Sequence, residues 1–291
     1  MNRKTIQNVL SRKFGKWVKS IDDENVRDLV NKNSIITGGC IVSMFLNEKI
    51  NDFDIYFTNK ETTLAVANYY VNEFNKTQKA DNQGTVITEG DRVKIQIVHP
   101  VLDNLDSSDD NENIETEIID IIQRKQKEEE KGKYRPVFLS DNAITLTDKI
   151  QIIIRFYGAA NQIHENYDFV HCTNYWLSDN QQLYTNSAAL ESILSKNLYY
   201  VGSLYPLCSI IRTRKFIKRG WHINAGQYLK MAVQLNDLDL NNVRVLQDQL
   251  VGVDIAYFNE VLSIIREKQE ENPNFELDST YLCEIIDKVF N

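Results

Sequence analysis

The pattern of apolar and polar residues changes at two glycines near the start of the chain. Apolar residues follow Ser34 up to Gly38 and Gly39, and apolar side chains then resume at helical spacing as far as Leu46. Residues 51–57 alternate with a period of two, which is typical of a half-buried strand. The pattern therefore predicts a strand, a glycine turn, a short helix and a second strand in that order.

Two aspartates, Asp52 and Asp54, occupy alternate positions in this second predicted strand. Residues two apart on a strand project to the same face, so both carboxylates should point one way, with Phe53 and Ile55 pointing the other way. Clustered carboxylate oxygens are the ligands that a hard cation such as Mg²⁺ prefers. A glycine turn followed by a helix start lets the backbone approach a phosphate group and offers free N–H groups to it. These features predict a site for a divalent metal and a nucleotide.

The glycine pair, the helix and the Asp-x-Asp strand within residues 35–57 resemble the polymerase-beta-like nucleotidyltransferase superfamily. The resemblance implies transfer of a nucleoside monophosphate from an NTP to an acceptor hydroxyl, with release of pyrophosphate and with Mg²⁺ or Mn²⁺ as cofactor. It assigns Asp52 and Asp54 as catalytic metal ligands. It also implies contacts from Gly38, Gly39 and Ser43 to the β- and γ-phosphates. The acceptor stays open among RNA, DNA, protein and small molecules.

The distance in sequence from the glycines to the aspartates is similar to that of CCA-adding and poly(A)-adding enzymes. Those enzymes carry an Arg-Asp pair where this chain has Val42 and Ser43, which argues against repair of tRNA ends. More loosely, the chain is similar to nucleotidyltransferase-like proteins of bacteriophages, through the stretches around Asp168 and Arg212. Two alternatives to an enzyme remain: a catalytically inactive binding or scaffold protein with the same fold, and a viral structural or packaged protein.

A third carboxylate often completes such a metal site. The residue at the corresponding strand position is Gln96, a poor metal ligand, and this favours the inactive alternative. Asp168 lies in an alternating segment, residues 166–172, that is interpreted as a buried strand, and it is the candidate for the third catalytic metal ligand. The alternative is that Asp168 caps the neighbouring helix or pairs with Arg155, because an unpaired buried charge is costly.

The remaining pattern predicts an α+β fold, with a nucleotidyltransferase-type mixed sheet and flanking helices, followed by an all-helical C-terminal domain. Hairpins predicted at residues 85–98 and 143–155 should extend one sheet in antiparallel fashion. The predicted domains are 1–180 and 181–291. An exposed charged insertion is expected at about 103–135, where Asp, Asn, Lys and Glu dominate.

A basic cluster lies in the helical half. Arg212, Lys215 and Arg219 share one face of a predicted helix, near its C-terminal end. Arginine binds phosphate oxygens with two parallel hydrogen bonds, so the cluster is predicted to contact the phosphates of the nucleotide or acceptor. The alternative is a solvated basic helix end.

Charge and composition limit the partners and the cellular location that we expect for the protein. With a net charge of -8, the chain of 291 residues is a poor candidate for coating duplex nucleic acid without sequence specificity. The four cysteines are too scattered for a zinc site or a disulfide framework. No apolar run has the length of a membrane span, so we expect a cytoplasmic protein without a membrane partner, in the host cytoplasm or the virion if it is viral. The oligomeric state stays open.

Overall fold

The computed structural model describes residues 1–78, 83–97 and 134–240, together with residues 242, 245–246, 249, 264–265, 268, 280–281 and 283–284. Nearly all of the predicted insertion, about 103–135, lies outside the described residues. By its contacts the chain divides into two units, with the described residues up to Ser195 in the first and those from Lys196 onward in the second.

Six helices belong to the described part of the first unit. They are α1 (Arg3–Val18), α2 (Glu24–Asn33), α3 (Gly39–Leu46), α4 (Lys60–Asn75), α5 (Ala160–His164) and α6 (Ser187–Ser195). Side chains of Asn2, Asp23 and Asn59 accept a hydrogen bond from the first turn of α1, α2 and α4, which fixes where these helices begin. The helix α3 has no side-chain cap and begins directly after the glycine turn.

The described part of the first unit also contains nine strands. They are β1 (Ser34–Thr37), β2 (Phe53–Phe57), β3 (Gly84–Glu89), β4 (Arg92–Ile97), β5 (Pro136–Leu139), β6 (Ala143–Leu146), β7 (Ile150–Tyr157), β8 (Tyr175–Leu177) and β9 (Leu183–Tyr184). Seven of the described strands form one sheet in the order β5-β6-β7-β2-β1-β8-β9. The pair β2 and β7 is parallel and the other neighbours are antiparallel. The prediction of an α+β fold with a mixed sheet and flanking helices is confirmed.

The expectation that both hairpins extend this sheet holds for only one of them. The hairpin of residues 143–155 forms β6 and β7, but β3 and β4 pair with each other in a separate two-stranded sheet. At the end of α4, the side chain of Asn75 donates to the backbone oxygen of Gly84 (2.9 Å) and accepts from the Gly84 nitrogen (2.8 Å). These backbone groups at the start of β3 therefore cannot pair with a further strand.

One face of the large sheet carries the main hydrophobic core, which α1, α2, α3 and α4 cover. Alternate residues of β2, Phe53, Ile55 and Phe57, point into it. Trp17 of α1 is fully buried there, and its indole N–H donates to the hydroxyl of Tyr70 (2.7 Å), so its polar atom is satisfied. Each such large side chain stabilises the fold by roughly 1.5–3 kcal/mol.

The opposite face has a smaller core, formed where the short helix α5 packs on the sheet. Its buried residues are Ile35, Tyr56, Ala160 and Ile163. Asp54 shares this face, because it is two residues from Tyr56 on the same strand. We call this side of the sheet the Asp54 face. Because the helix α5 that packs on it is short, the Asp54 face has room for a functional site.

The described part of the second unit is built from helices. They include α7 (Pro206–Lys218) and α8 (Ala225–Leu235). The hydroxyls of Thr213 on α7 and Tyr228 on α8 lie 3.3 Å apart, and Trp221 packs edge-on against Phe216 after α7 ends. No described helix combines the length and hydropathy that a bilayer span requires.

Candidate active site

A row of side chains crosses the Asp54 face along the strand register. Asp54 of β2 lies opposite Thr37 of β1, and Thr37 lies opposite Tyr175 of β8. On the other side, Asp54 lies opposite Gln151 of β7. Partners in register project to the same face of a sheet, so these four side chains form one continuous polar row. Asp54 stands near its middle.

The glycine turn brings the backbone against the Asp54 carboxylate. Gly38 has φ 87° and ψ -149°, a conformation that side chains strongly disfavour. A Cβ atom at this position would lie 3.1 Å from Oδ2 of Asp54 and 3.4 Å from the hydroxyl of Tyr167. Position 39 differs, because a Cβ on Gly39 would meet no atom within 4 Å among the described residues. The backbone conformation and the close neighbours of position 38 therefore require a glycine there. At position 39, the start of α3, the surroundings leave space for a side chain.

The two predicted metal ligands lie at the start of β2. Asp54 is half-buried on the strand, and Phe53 and Ile55 are buried in the core behind it. Asp52 is exposed and directly precedes the strand. Both aspartates act electrostatically on the thiol of Cys40, in the first turn of α3. The structure thus brings both carboxylates near the start of that helix.

The electrostatic field of the aspartates is visible in the groups beside them. Burial raises the pKa of the Cys40 thiol well above its usual value, and the charges of Asp54 and Asp52 raise it further. Burial likewise raises the pKa of Tyr167, with further contributions from Tyr56 and Asp54. Both groups are neutral at pH 7, so the negative charge of the site stays on the aspartates. A negative cluster of this kind favours a bound cation.

Hydrogen bonds connect the glycine turn to a segment far along the chain. The Thr37 hydroxyl donates toward the backbone oxygens of Asn174 (2.9 Å) and Cys172 (3.3 Å), and the Gly38 nitrogen donates to the Cys172 oxygen (3.2 Å). Nε2 of His164 lies 2.9 Å from the same hydroxyl. Because the single Thr37 proton already has carbonyl acceptors, the His164 Nε2–H is assigned as a donor to Thr37. These bonds hold the end of β1 in place.

The predicted strand at residues 166–172 is wrong. The chain forms a bend there, followed by a single 3₁₀ turn over Val170–Cys172. Local hydrogen bonds explain this. Cys172 N donates to the Phe169 oxygen (3.3 Å) and Thr173 N donates to the Val170 oxygen (3.0 Å), so these backbone groups are not available to pair with a neighbouring strand. The alternation in the sequence came from burial of an irregular segment, since Asp168 is only 5% exposed.

The predicted third metal ligand, Asp168, is buried in the segment between α5 and β8. Among the described residues, no three or more His, Cys, Asp or Glu side chains lie together in an arrangement that could hold a metal ion. Asp168 as third ligand therefore stays a prediction. Gln96, the residue at the usual third position, is exposed on β4, which belongs to the separate two-stranded sheet.

The other predicted contact residues have the following places. Ser43 lies one turn inside α3 and is 5% exposed. Arg212, Lys215 and Arg219 lie on α7 and its C-cap, in the second unit, where Lys215 is exposed and the two arginines are partly buried. Their contacts with phosphate stay predictions.

Sequence reasoning missed the neighbours of Asp54 that tertiary structure supplies. Tyr167, His164 and Cys40 all lie beside the aspartates or the glycine turn. Thr37 and Cys40 carried a usable signal, because they flank the glycine pair in the sequence. Thr37 also lies opposite Asp54 in the strand register. Tyr167 and His164 lie far along the chain, and no periodicity points to their position.

Comparisons with known proteins identify relatives. Residues 8–196 match the family described as Gad2, Gabija anti-defense 2 family protein. The protein named Gabija anti-defense 2 from Bacillus phage SPbetaL7 is 19% identical over 285 residues, which cover 93% of this chain and 56% of that protein. The chain thus spans little more than half the length of this relative.

Among solved structures, a Thermotoga maritima CCA-adding enzyme complexed with tRNA has a TM-score of 0.41 and 14% identity, covering 92% of this chain and 57% of its own. A CCA-adding enzyme in complex with ATP has a TM-score of 0.43 and 13% identity, and the match covers 99% of this chain and 67% of that enzyme. The family match includes well over half of the residues of this chain. The chain therefore belongs to the Gabija anti-defense 2 family.

Proposed function

We propose that this chain is a metal-dependent nucleotidyltransferase, which transfers a nucleoside monophosphate from an NTP to an acceptor hydroxyl and releases pyrophosphate. The observation that carries the proposal is the contact between the Asp54 carboxylate and Gly38 at the start of α3. In support of the proposal, the carboxylate, which is a ligand type suited to a metal ion, lies beside the N-terminal end of a helix, the end that favours phosphate. An NTP complexed with a divalent cation carries both of the groups that such a site would bind.

The donor chemistry fits Mg²⁺ or Mn²⁺. Asp52 and Asp54 offer carboxylate oxygens, the ligands of hard cations, and the buried Cys40 beside them is kept as a neutral thiol that competes poorly for such ions. These two aspartates would hold the cation. When bound, the cation lowers the pKa of the attacking hydroxyl and neutralises charge that builds up on the phosphates.

The protein groups have positioning roles in this proposal. The N–H groups of the first turn of α3 lack partners inside the helix and would bind the β- and γ-phosphates next to Gly38 and Gly39, with Ser43 as a proposed further contact. Thr37, held by His164, keeps β1 and the glycine turn in register with Asp54. Positioning and electrostatic stabilisation supply most of the catalysis in phosphoryl transfer, so few special residues are needed.

The family suggests a biological role. Its name, Gabija anti-defense 2, describes action against a defence system, and a protein of that name comes from Bacillus phage SPbetaL7. We extend that role to this chain, with nucleotidyl transfer in the host cytoplasm as its means. The modified acceptor would then be a component that the defence depends on.

An inactive binding protein is the second candidate. The observation that favours it is the absence of a three-ligand metal group among the described residues, together with Gln96 on a separate sheet. Such a protein would bind a nucleotide through the glycine turn and act by sequestration. It would bind NTP but release no pyrophosphate.

The deciding experiment incubates the protein with each labelled NTP, Mg²⁺ or Mn²⁺, and RNA, DNA, protein or small-molecule acceptors. Wild type should release pyrophosphate and label one acceptor class, and Asp54→Asn should do neither. Asp179→Asn is the matched control, because Asp179 is an exposed aspartate in a turn away from β2. Nucleotide binding without pyrophosphate release in any combination would support the inactive candidate and overturn the enzyme.

A further inference from the structure

A cleft of about 530 Å³ opens on the Asp54 face, at the β8 and β9 end of the sheet. Its walls come from three regions of the first unit: the start of α1, the helix α5, and the strands β8 and β9 with the residues that follow them. All of the residues that line it belong to the described part of that unit. The volume is within the range of clefts that hold small ligands.

Three aromatic rings form one side of the cleft. Tyr175 and Tyr184 are partners in the β8–β9 register, and their rings are stacked with centroids 5.0 Å apart and planes 11° apart. His164 lies edge-on to Tyr175 at 5.6 Å. A flat heteroaromatic ligand can extend this arrangement, because aromatic faces stack on one another independently of base identity.

The polar groups of the cleft complement a heterocycle with an attached anion. Arg3 donates from Nε and Nη2 to the Leu183 oxygen (3.2 and 2.7 Å), which fixes the guanidinium in place while its Nη1 has no acceptor among the described residues. Asn161 supplies a side-chain amide that bonds no described residue. An amide has both donor and acceptor atoms, which suits the edge of a base.

The charge balance of the cleft favours an anionic ligand. Of the described residues lining the cleft, only Arg3 carries a charge at neutral pH, because burial lowers the pKa of His164 to about 4. A single fixed cation with no opposing carboxylate attracts an anion. A phosphate attached to an aromatic base meets both the charge and the aromatic wall.

The cleft is continuous with the candidate active site through the strand register. Tyr175 lies opposite Thr37, and Thr37 lies opposite Asp54. Neighbouring strands are about 4.8 Å apart, so Tyr175 is about 10 Å from Asp54 across the sheet. His164 lines the cleft and also bonds Thr37 (2.9 Å), so it connects the two sites directly. A ligand in the cleft therefore lies within one nucleotide unit of the aspartates.

We propose that this cleft binds a nucleobase, stacked on the Tyr175 and Tyr184 pair, with an adjoining phosphate on Arg3. The base belongs either to the donor NTP or to a nucleic-acid acceptor, and the chemistry required of the cleft is the same. Its assignment to a reaction rests on the proposed function, but binding of the base does not require turnover.

The experiment measures binding of ATP, of a short labelled oligoadenylate and of inorganic tripolyphosphate, without a catalytic metal. Tyr184→Ala should weaken binding of a base-containing probe about tenfold or more, since a stacked base contributes that much. Tyr184→Phe keeps the ring and should bind as wild type does. Tripolyphosphate has no base, so its affinity should be the same in all three proteins.

The anion contact has a matched pair of variants. Arg3→Ala removes the cation that lines the cleft, and Lys4→Ala removes an exposed cation from the next position of α1 that does not line it. Only Arg3→Ala should weaken the probe. If Tyr184→Ala fails to fold, Asn161→Ala tests the same cleft from an exposed position on α5 and should weaken the base-containing probe alone.

The outcomes separate the sources of the base. A loss confined to ATP assigns the cleft to the donor, and a loss confined to the oligoadenylate assigns it to the acceptor. Unchanged affinity of both probes in folded Tyr184→Ala, Arg3→Ala and Asn161→Ala would overturn the inference, even if wild type transfers nucleotides. Conversely, weakened base binding in a protein that never releases pyrophosphate would uphold the cleft and reject the proposed reaction.

Discussion

The carboxylate of Asp54 lies so close to Gly38 that a Cβ atom at position 38 would be 3.1 Å from its Oδ2. The glycine is therefore part of the geometry that places this carboxylate at the start of α3. Gly39, its neighbour in the sequence, has no such contact among the described residues. The two glycines of one motif thus have different physical roles.

Gly38→Ala and Gly39→Ala should have opposite effects. Alanine at position 38 combines a disfavoured conformation, costing about 1–3 kcal/mol, with the close contact to Asp54, so both stability and Mn²⁺ affinity should fall. Alanine at position 39 lies in the first turn of α3 and should leave stability unchanged or raise it by up to about 1 kcal/mol. Thermal denaturation with and without Mn²⁺ measures both. Equal melting temperatures for the two variants would contradict the geometry.

Asp52→Asn and Asp54→Asn should remove divalent-cation binding while the protein stays folded. Asp52 is exposed and Asp54 is half-buried at the edge of the site, so neither amide is forced into the core. Calorimetric titration with Mn²⁺ measures the affinity, with Asp179→Asn as the exposed control. A double variant that binds Mn²⁺ as tightly as wild type would rule out the proposed metal site.

Asp168→Asn distinguishes a metal ligand from a structural carboxylate. Asp168 is 5% exposed and lies outside any three-ligand group among the described residues. If Asp168 is the third ligand, the variant should bind Mn²⁺ more weakly than wild type. It should also lose about 1–3 kcal/mol of stability, because buried hydrogen-bonding groups lose their partners. Unchanged Mn²⁺ affinity with a lower melting temperature would make Asp168 a structural carboxylate instead.

The basic face of α7 should respond to salt if it contacts phosphate. Lys215→Ala and Arg214→Ala are a matched pair, because both residues are exposed cations on α7 but point in different directions. Lys215→Ala should weaken oligonucleotide binding and reduce the slope of log affinity against log salt by about 0.7–0.9, the value for one lost phosphate contact. Arg212→Gln and Arg219→Gln should act in the same direction. Identical slopes for Lys215→Ala, Arg214→Ala and wild type would leave the cluster as a solvated helix end.

His164 should make the fold sensitive to acid. Burial lowers its pKa from 6.5 to about 4, so between these values the unfolded chain binds a proton that the folded chain does not. The contribution of His164 to the free energy of unfolding is therefore fully present above pH 6.5. It is lost as the pH drops toward 4, by at most about 3 kcal/mol.

His164→Gln should flatten that part of the pH dependence, since glutamine can still donate to Thr37 without taking up a proton. His222→Gln, at an exposed position, is the control and should follow wild type. Chemical denaturation at several pH values measures the effect. Parallel curves for wild type and His164→Gln would show that His164 is not the group that titrates.

The sequence by itself determined the local elements around the motif. The period of two in residues 51–57 and the helical spacing after Gly39 correctly predicted β2 and α3, because each pattern reports which side of an element is buried. The hairpin at residues 143–155 was also predicted, since the polar pair Thr147 and Asp148 separates two short apolar runs. Burial periodicity and turn chemistry act over a few residues, so a single sequence carries them.

Tertiary structure alone decided which elements meet. The parallel pairing of β2 with β7 joins residues far apart in the sequence, such as Phe53 and Ile150, and leaves no local pattern. The local pattern of β3 and β4 likewise did not show that they form a separate sheet. The two-residue strand β9 is too short to show a period. The strand at residues 166–172 was wrongly predicted because an irregular buried segment can alternate like a strand. The residues beside Asp54, above all Tyr167 and His164, arrive from distant sequence positions, and only the folded chain brings them there.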